Sequence, residues 1–347
     1  MNASFDTQTP RDTEELDDQI TKPSRATLAA IEACPGDVMV LGAAGKMGFH
    51  LTRLLQRCLK QLGRNDRLIA VSRFSSDASL LRFRKFEIET IAADLSEPDQ
   101  VNRLPHASNL FFLAGIKFGT AHDLDLLYRM NRDMPGYIAD RFRESRIVAL
   151  STGCVYSFTS PETGGSTEQS EVDPPGEYAR SCLAREKAFI DGSSTNGTLC
   201  SLVRLNYSVE LRYGVLVDIA SQVLSGVPVD LETPYVNVIW QGDAITQILQ
   251  CLPDAAAPPD VVNITGPDTL SVREIAERFG VRFGLSPTFR GHQADTCWLS
   301  NSTLARHRYG EPGMKVDCMI EWIADWLQRG GETLGKPTHF QVRDGKY

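Results

Sequence analysis

The sequence predicts an α/β protein, with a doubly wound parallel sheet and a smaller carboxyl-terminal domain. Three observations carry this. Short apolar runs recur up to about residue 206, most of them followed by a segment with helical spacing. Each run is too continuously apolar for a sheet with one wet face, which implies parallel strands covered on both sides. The first run, Asp37–Leu41, opens straight into three glycines at 42, 45 and 48, and helical spacing follows over Phe49–Lys60.

The elements can be justified in chain order. Residues 1–35 form an acidic extension, with Asp6, Asp12, Glu14, Glu15, Asp17, Asp18 and Glu32 set against Arg11, Lys22 and Arg25. Its first dozen residues read as disordered. Glu14–Ile20 and Ser24–Ala33 read as short helices broken at Pro23, with Ser24 as a cap, packed on the outside of the domain. Then come strands at Asp37–Leu41, Arg67–Ser72, Glu87–Ala92, Asn109–Ala114, Arg146–Leu150 and Leu199–Asn206. Ala121–Phe142 and Tyr178–Ile190 have helical patterns. Residues 157–177, rich in Pro, Gly, Ser, Thr and Glu, read as a loop able to cover a site. Beyond them, Val215–Leu224, Asp243–Cys251, Ser271–Phe279 and Met314–Gln328 are helical, and Ser271 with Glu274 matches a capping box. Val227–Leu231 and Val236–Ile239 are short strands, and Val261–Thr265 is a further strand. The expected units are an extension at 1–35, a dinucleotide-binding domain at 36–207, and a substrate domain at 208–330 with part of 232–262 returning to the sheet. The tail at 331–347 carries no readable signal.

Composition excludes several classes. A net charge of −8 argues against nucleic-acid or anionic-membrane surfaces. No run approaches the roughly 18 apolar residues of a membrane span, and the acidic start is unlike a signal peptide, so a cytoplasmic location is expected. Eight scattered cysteines without a CxxC pair suit reduced thiols. The six histidines show no HxH or HExxH spacing, so no metal is expected.

In a parallel sheet, ligand and catalytic groups gather at the carboxyl ends of strands. The glycine turn, Ser72-Arg73, Asp94, Gly115–Lys117 and Ser151-Thr152 all fall there. The turn Gly42-Ala43-Ala44-Gly45-Lys46-Met47-Gly48 lets backbone N–H groups approach a pyrophosphate, and Gly48 lets the helix sit close to the strand. At the second strand end an acid usually holds the adenosine 2′-hydroxyl. Ser72 and Arg73 instead favour a 2′-phosphate, hence NADP over NAD.

Together these motifs resemble the extended short-chain dehydrogenase/reductases, the NAD-dependent epimerase/dehydratase family, over roughly 36–330. The resemblance rests on GAAGKMG at 42–48, Asp94-Leu95, FLAGIKFG at 112–119, STGCVY at 151–156, YARSC at 178–182, RLNYS at 204–208 and NITGPDTLSVREIAERFG at 263–280. It implies a Rossmann-type domain whose glycines cradle the cofactor pyrophosphate. It places Asp94 and Leu95 at the adenine, Ala114 and Gly115 at the cofactor ribose, and Lys117 near the nicotinamide end, with Lys46, Met47 and Ser151 also in the cofactor site. Thr152 would hold the substrate oxygen, and Tyr178 would be the general acid/base. Asn206 and Arg212 would meet a carbohydrate-like substrate, and Arg204 is a further candidate for its phosphate or carboxylate. A homodimer through helices near 121–143 and 178–194 is also implied.

The family pattern YxxxK reads Tyr178-Ala179-Arg180-Ser181-Cys182 here. The missing lysine normally lowers the tyrosine pKa, and an unperturbed phenol near 10 is a poor base at neutral pH. Lys187 falls on the wrong side of the helix, and Arg185 lies about 10 Å further along its axis. Lys117 is the substitute cation in one reading. In the others Cys182 is a neutral replacement in a protein without turnover, or a thiol active in chemistry itself. The function expected is oxidoreduction, epimerisation or dehydration at a hydroxyl-bearing carbon, the alternative being a dinucleotide-binding regulatory protein. The segment RLNYSVELRYG lacks the family's glycine-proline after its tyrosine. Tyr156 and Trp240 read as packing residues.

Overall fold

The computed structural model describes residues 8–117 and 123–343. Seven strands build one sheet: β1 (Val38–Leu41), β2 (Leu68–Ser72), β3 (Glu89–Ala92), β4 (Asn109–Phe112), β5 (Arg146–Thr152), β6 (Cys200–Leu205) and β7 (Asp260–Ile264). Their order is β7-β6-β5-β4-β1-β2-β3, and every neighbouring pair is parallel. β1 and β4 are buried along their whole length, as their unbroken apolar runs require. The chain order reverses between β1 and β4, so a crevice opens beyond their carboxyl ends. The fold is a Rossmann-like α/β sheet with a smaller carboxyl-terminal lobe.

Helices cover both faces. Gly48–Gln61 buries Phe49, Leu51, Leu54 and Leu55 against Val38 and Val40, while Ile138, Phe142 and Phe189 pack on Met39, Leu41 and Phe112. The acidic extension is part of this core. Helices Thr13–Ile20 and Arg25–Glu32 bury Leu16, Ile20 and Ile31, and Ser24 forms a capping box with Thr27. Between β6 and β7, and again after β7, the chain leaves the sheet to build the second lobe. There, Val215–Leu224, Val272–Phe283 and Val316–Gln328 pack together, and short pairings such as 235–236 with 270–271 tie the loops. The capping contact of Ser271 with the Glu274 amide is present, and β7 is the late segment that rejoins the sheet beside β6.

Several expectations change. The long helix expected over 121–142 is broken: Leu124–Tyr128 passes through a π turn at Arg129–Asp133 into Met134–Arg141. Pro135, which donates no backbone hydrogen bond, sits in the first turn after the break. Ala121 and His122 lie outside the described residues, as do Phe118 and Gly119 of FLAGIKFG and residues 1–7 of the extension. Helices at Asp77–Arg84, Pro98–Asn102 and Thr303–Tyr309 were not expected. Nor was the tail: it packs on the body, with Thr338 and Phe340 buried.

Candidate functional site

A crevice of about 440 Å³ lies over the switch between β1 and β4. The glycine turn forms its floor. The Gly42 and Ala43 amides both donate to the Val71 carbonyl, which ties the end of β1 to β2. Gly42 has φ +84°, and a Cβ there would stand 2.7 Å from the Ala114 nitrogen, so no other residue fits. A Cβ on Gly48 would meet the Ala43 carbonyl at 2.5 Å, so this glycine sets the close seating of the helix. That helix starts without any side-chain cap, its Gly48 amide donating to the Gly45 carbonyl at 3.1 Å, and its positive N-terminal end favours an anion. A cradle that excludes Cβ atoms at the N-terminal end of a helix fits a dinucleotide pyrophosphate.

Gly42, Gly45, Ser72, Arg73, Asp94, Leu95, Ala114 and Gly115 all line this crevice. Lys46, Met47 and Gly48 complete the turn, and the Lys46 ammonium sits 3.1 Å over the Tyr213 ring. Burial pushes Lys46 down to about 7, helped by the charges of Lys117 and Lys336. Asp94 accepts from the Ser96 amide and hydroxyl at 3.0 and 2.7 Å. Burial alone would raise its carboxyl, but these hydrogen bonds and the charge of Arg73 hold it below the ordinary range. The crevice also has walls the sequence reading missed: Ser75, Ser76, Ser79, and Lys336 from the tail.

At the other end of the site, β5 runs into a tight turn at Gly153–Val155 that Thr152 caps by accepting from the Cys154 amide. The helix Glu177–Asn196 packs there, placing Tyr178 against Val155, Tyr156 and Cys182. Cys182, one turn after Tyr178, is fully buried. Lys117 arrives from the loop after β4, its ammonium 5.6 Å from the Tyr178 ring centre and donating to the Thr338 carbonyl at 3.4 Å. Burial pushes the Tyr178 phenol well above its usual 10, while Arg185 pulls it back. Burial lowers Lys117 and raises the thiols of Cys154 and Cys182.

Arg185 is closer to the site than helical rise alone suggests. Helical side chains lean toward the N-terminus, so the long guanidinium reaches back to the loop after β4. It donates to Asn131 Oδ1 at 2.6 Å and to the Leu150 carbonyl at 3.1 Å, and a Cβ on Gly115 would strike it. Asn131, in the π turn, also bonds both polar groups of the Ile116 backbone and the Ser181 hydroxyl. Sequence reasoning missed Asn131; the only cue was a lone polar residue on an otherwise apolar helix face. Lys187 points to solvent and pairs with Asp191.

The remaining candidates are committed elsewhere. Ser151 donates to Glu186 at 2.5 Å, and Arg204 grips the same carboxylate with two nitrogens while donating to the Tyr156 hydroxyl. Arg204 is thus a buried partner of Glu186 and not a substrate clamp. Arg212 is likewise held by Glu210 and, at 2.9 Å, by Asp17 of the acidic extension, so a substrate anion would have to displace two carboxylates. Asn206 donates to Asn237 and to the Trp298 carbonyl. Tyr156 and Trp240 are buried packing residues.

Fold and site together define a Rossmann-type α/β protein with a glycine-lined crevice and a threonine, tyrosine and lysine at its far end. Residues 38–208 match the model of the NAD dependent epimerase/dehydratase family. No curated protein matches the chain in sequence. Solved structures of similar fold include a double mutant of the dTDP-glucose 4,6-dehydratase of Streptomyces venezuelae with NAD bound, with a TM-score of 0.71 and 18% identity over 84% of this chain and 98% of that one. The UDP-glucuronic acid 4-epimerase of Bacillus cereus in complex with NAD gives 0.69 and 17% over 84% and 99%. The UDP-glucose 4-epimerase of Thermotoga maritima with UDP-glucose gives 0.69 and 14% over 85% and 99%. Among the described residues no helix is long and apolar enough to cross a membrane, and no cluster of three or more metal-ligating side chains occurs.

Proposed function

We propose that the protein is an NAD(P)-dependent oxidoreductase of the epimerase, dehydratase or reductase kind, acting at a hydroxyl-bearing carbon of a carbohydrate or nucleotide-sugar-like substrate. The observation that carries this reading is the approach of Lys117 to Tyr178, which returns a cation to a tyrosine whose own helix offers Cys182 in its place. The bound nicotinamide would supply hydride exchange at the substrate carbon. Thr152 would hold the substrate oxygen and Tyr178 would move its proton. The charge of Arg185 favours the phenolate against the burial that opposes it, and Lys117 stands beside the same ring. The similar epimerases and dehydratase carry NAD or a UDP-sugar by their own descriptions, which supports the substrate class.

Arg73, exposed at the end of β2, faces the crevice together with Ser75, Ser76 and Ser79, and Ser76 also caps the helix Asp77–Arg84. An arginine and hydroxyls around the adenosine end favour a 2′-phosphate, hence NADP. Leu124 and Ile190 are half exposed on the helices expected to form a homodimer, which sedimentation at micromolar concentration would read directly. A parallel titration with NADPH and NADH, following nicotinamide fluorescence, tests the function. Tight NADPH with weak NADH supports this reading and directs a substrate screen to carbonyl reduction. Retained NAD turns the proposal toward an epimerase cycle, and binding of neither overturns it.

A further inference from the structure

The carboxyl-terminal tail is a fixed strap. After the last helix, the Trp326 indole donates to the Glu332 carbonyl at 2.9 Å and the Leu334 amide donates to the Arg212 carbonyl at 3.0 Å. The Thr338 amide and hydroxyl both donate to Asp218, at 2.7 and 2.6 Å. Lys117 donates to the Thr338 carbonyl, Phe340 is buried in the main core, and Arg343 donates to the Thr296 carbonyl at 2.6 Å. Between the anchors at 334 and 338 stands the exposed Lys336. It is flanked by Gly335, whose φ of +59° turns the chain, and by Pro337, which restricts the backbone before it. This short bridge lays Lys336 along the crevice wall that Gly42, Gly45 and Ser72 also form.

We propose that Lys336 is a ligand for the cofactor diphosphate, so that the strap forms one wall of the dinucleotide site. The proposal rests on the functional reading above and adds a residue from outside the family-matched segment, which ends at 208. Lys46, Lys117 and Lys336 converge from the glycine turn, the loop after β4 and the strap. Burial depresses Lys46 most, and the charges of Lys117 and Lys336 push it the same way, with Asp218 and Glu210 opposing in part. A cluster of like charges lowers its energy by taking up an anion, and a diphosphate seated at the helix end without a side-chain cap supplies two negative charges there. Lysine acts on phosphate as a point charge, so an exposed, backbone-fixed Lys336 needs no bidentate geometry.

The test measures dissociation constants of full-length protein for NADPH and NADH at several salt concentrations, for the parent, Lys336→Ala and Lys336→Arg. Lys336→Ala is expected to weaken both dinucleotides by a similar factor, about tenfold, with a shallower salt dependence. Lys336→Arg is expected to stay near the parent. Equal binding by parent and Lys336→Ala overturns the role of Lys336 alone. A loss confined to NADPH overturns the diphosphate assignment, because it would place the lysine at the 2′-phosphate. A parent that binds neither dinucleotide overturns the functional reading and this proposal with it. Because Lys336 is exposed, its replacement leaves the core contacts of Thr338 and Phe340 in place, and an unchanged melting temperature checks this.

Discussion

The site's chemistry turns on how burial is set against charge at a few side chains. In the proposed mechanism Tyr178 needs a cation because burial favours its neutral phenol; the charge of Arg185 pulls it down, and the Lys117 ammonium stands 5.6 Å from its ring centre. Tyr178→Phe should therefore leave dinucleotide binding near the parent value while turnover falls about a hundredfold or more. Lys117→Met should move the rising limb of the pH profile upward by about one unit, since losing the cation raises the phenol further. Turnover at the parent rate in Tyr178→Phe would remove the tyrosine from the proton path. Lys46 gives a second pH signature. Its amine sits at about 7 where 10.5 is ordinary, so in the empty site it is charged below 7 and neutral above. A diphosphate binds the charged form better, so binding takes up a proton and affinity should weaken as pH rises from 6 to 9. In Lys46→Met that slope should flatten, and an unchanged slope would place the titration elsewhere. The YxxxK departure at Cys182 and the strand-end position of Lys117 were both legible in the sequence, and the role of a cation at Tyr178 is what these variants test. Arg185 was discounted because its position was judged by its Cα, whereas a long side chain leaning back along the helix decides where the charge sits.

At the level of elements, the end of β5 is held to the following helix by a buried ion pair. Glu186 accepts from Ser151 and from two nitrogens of Arg204, while Arg204 reaches on to Tyr156 and from there to Asn263 of β7. The network fixes the residue just before Thr152 against the helix that carries Tyr178. Glu186→Gln leaves a buried guanidinium without its counter-charge and should cost about 3–5 kcal/mol, read as a lowered denaturant midpoint. Glu186→Gln combined with Arg204→Met should recover much of that loss, because the penalty lies in the unpaired charge. If both variants are equally destabilised, the packing and not the charge is what matters. Such pairs are hard to see in sequence, since Glu186 and Arg204 sit on a helix and a strand whose registers must both be known. The strands themselves were legible because consecutive apolar residues suffice to mark them. The break at Arg129–Asp133 was not, because a π turn keeps helical spacing nearly intact while Asn131 is turned inward to hold the loop after β4.

Across the whole molecule, the two ends of the chain close the structure around the sheet. The strap draws the carboxyl end over the crevice, and the acidic extension meets that end at Arg212 and Arg329 and is held through a buried cluster. Gln241 donates to His50 Nδ1, so the Nε2–H of a neutral ring donates to Asp17, which also pairs with Arg212 and Arg82. That assignment agrees with burial lowering His50 below its ordinary 6.5. The two helices of the extension and the Ser24 cap were legible in the sequence, but the packing of both ends was not, because their contacts are with residues far away in sequence. The clasp makes stability depend on acid in a defined way. A histidine whose folded pKa is depressed leaves the unfolded chain binding more protons below 6.5, so stability is lost as pH falls from there toward the folded value. Asp17 is held below its ordinary 3.8, where burial would raise it but His50, Arg212 and Arg82 outweigh that, so its contribution disappears only at lower pH. The melting temperature should therefore decline in two stages, first as pH falls below about 6.5 and again below about 4. His50→Gln should abolish the first stage and keep the second. A first stage that survives in His50→Gln would mean that another group titrates there, and that the extension is held by its apolar residues Leu16 and Ile20 instead.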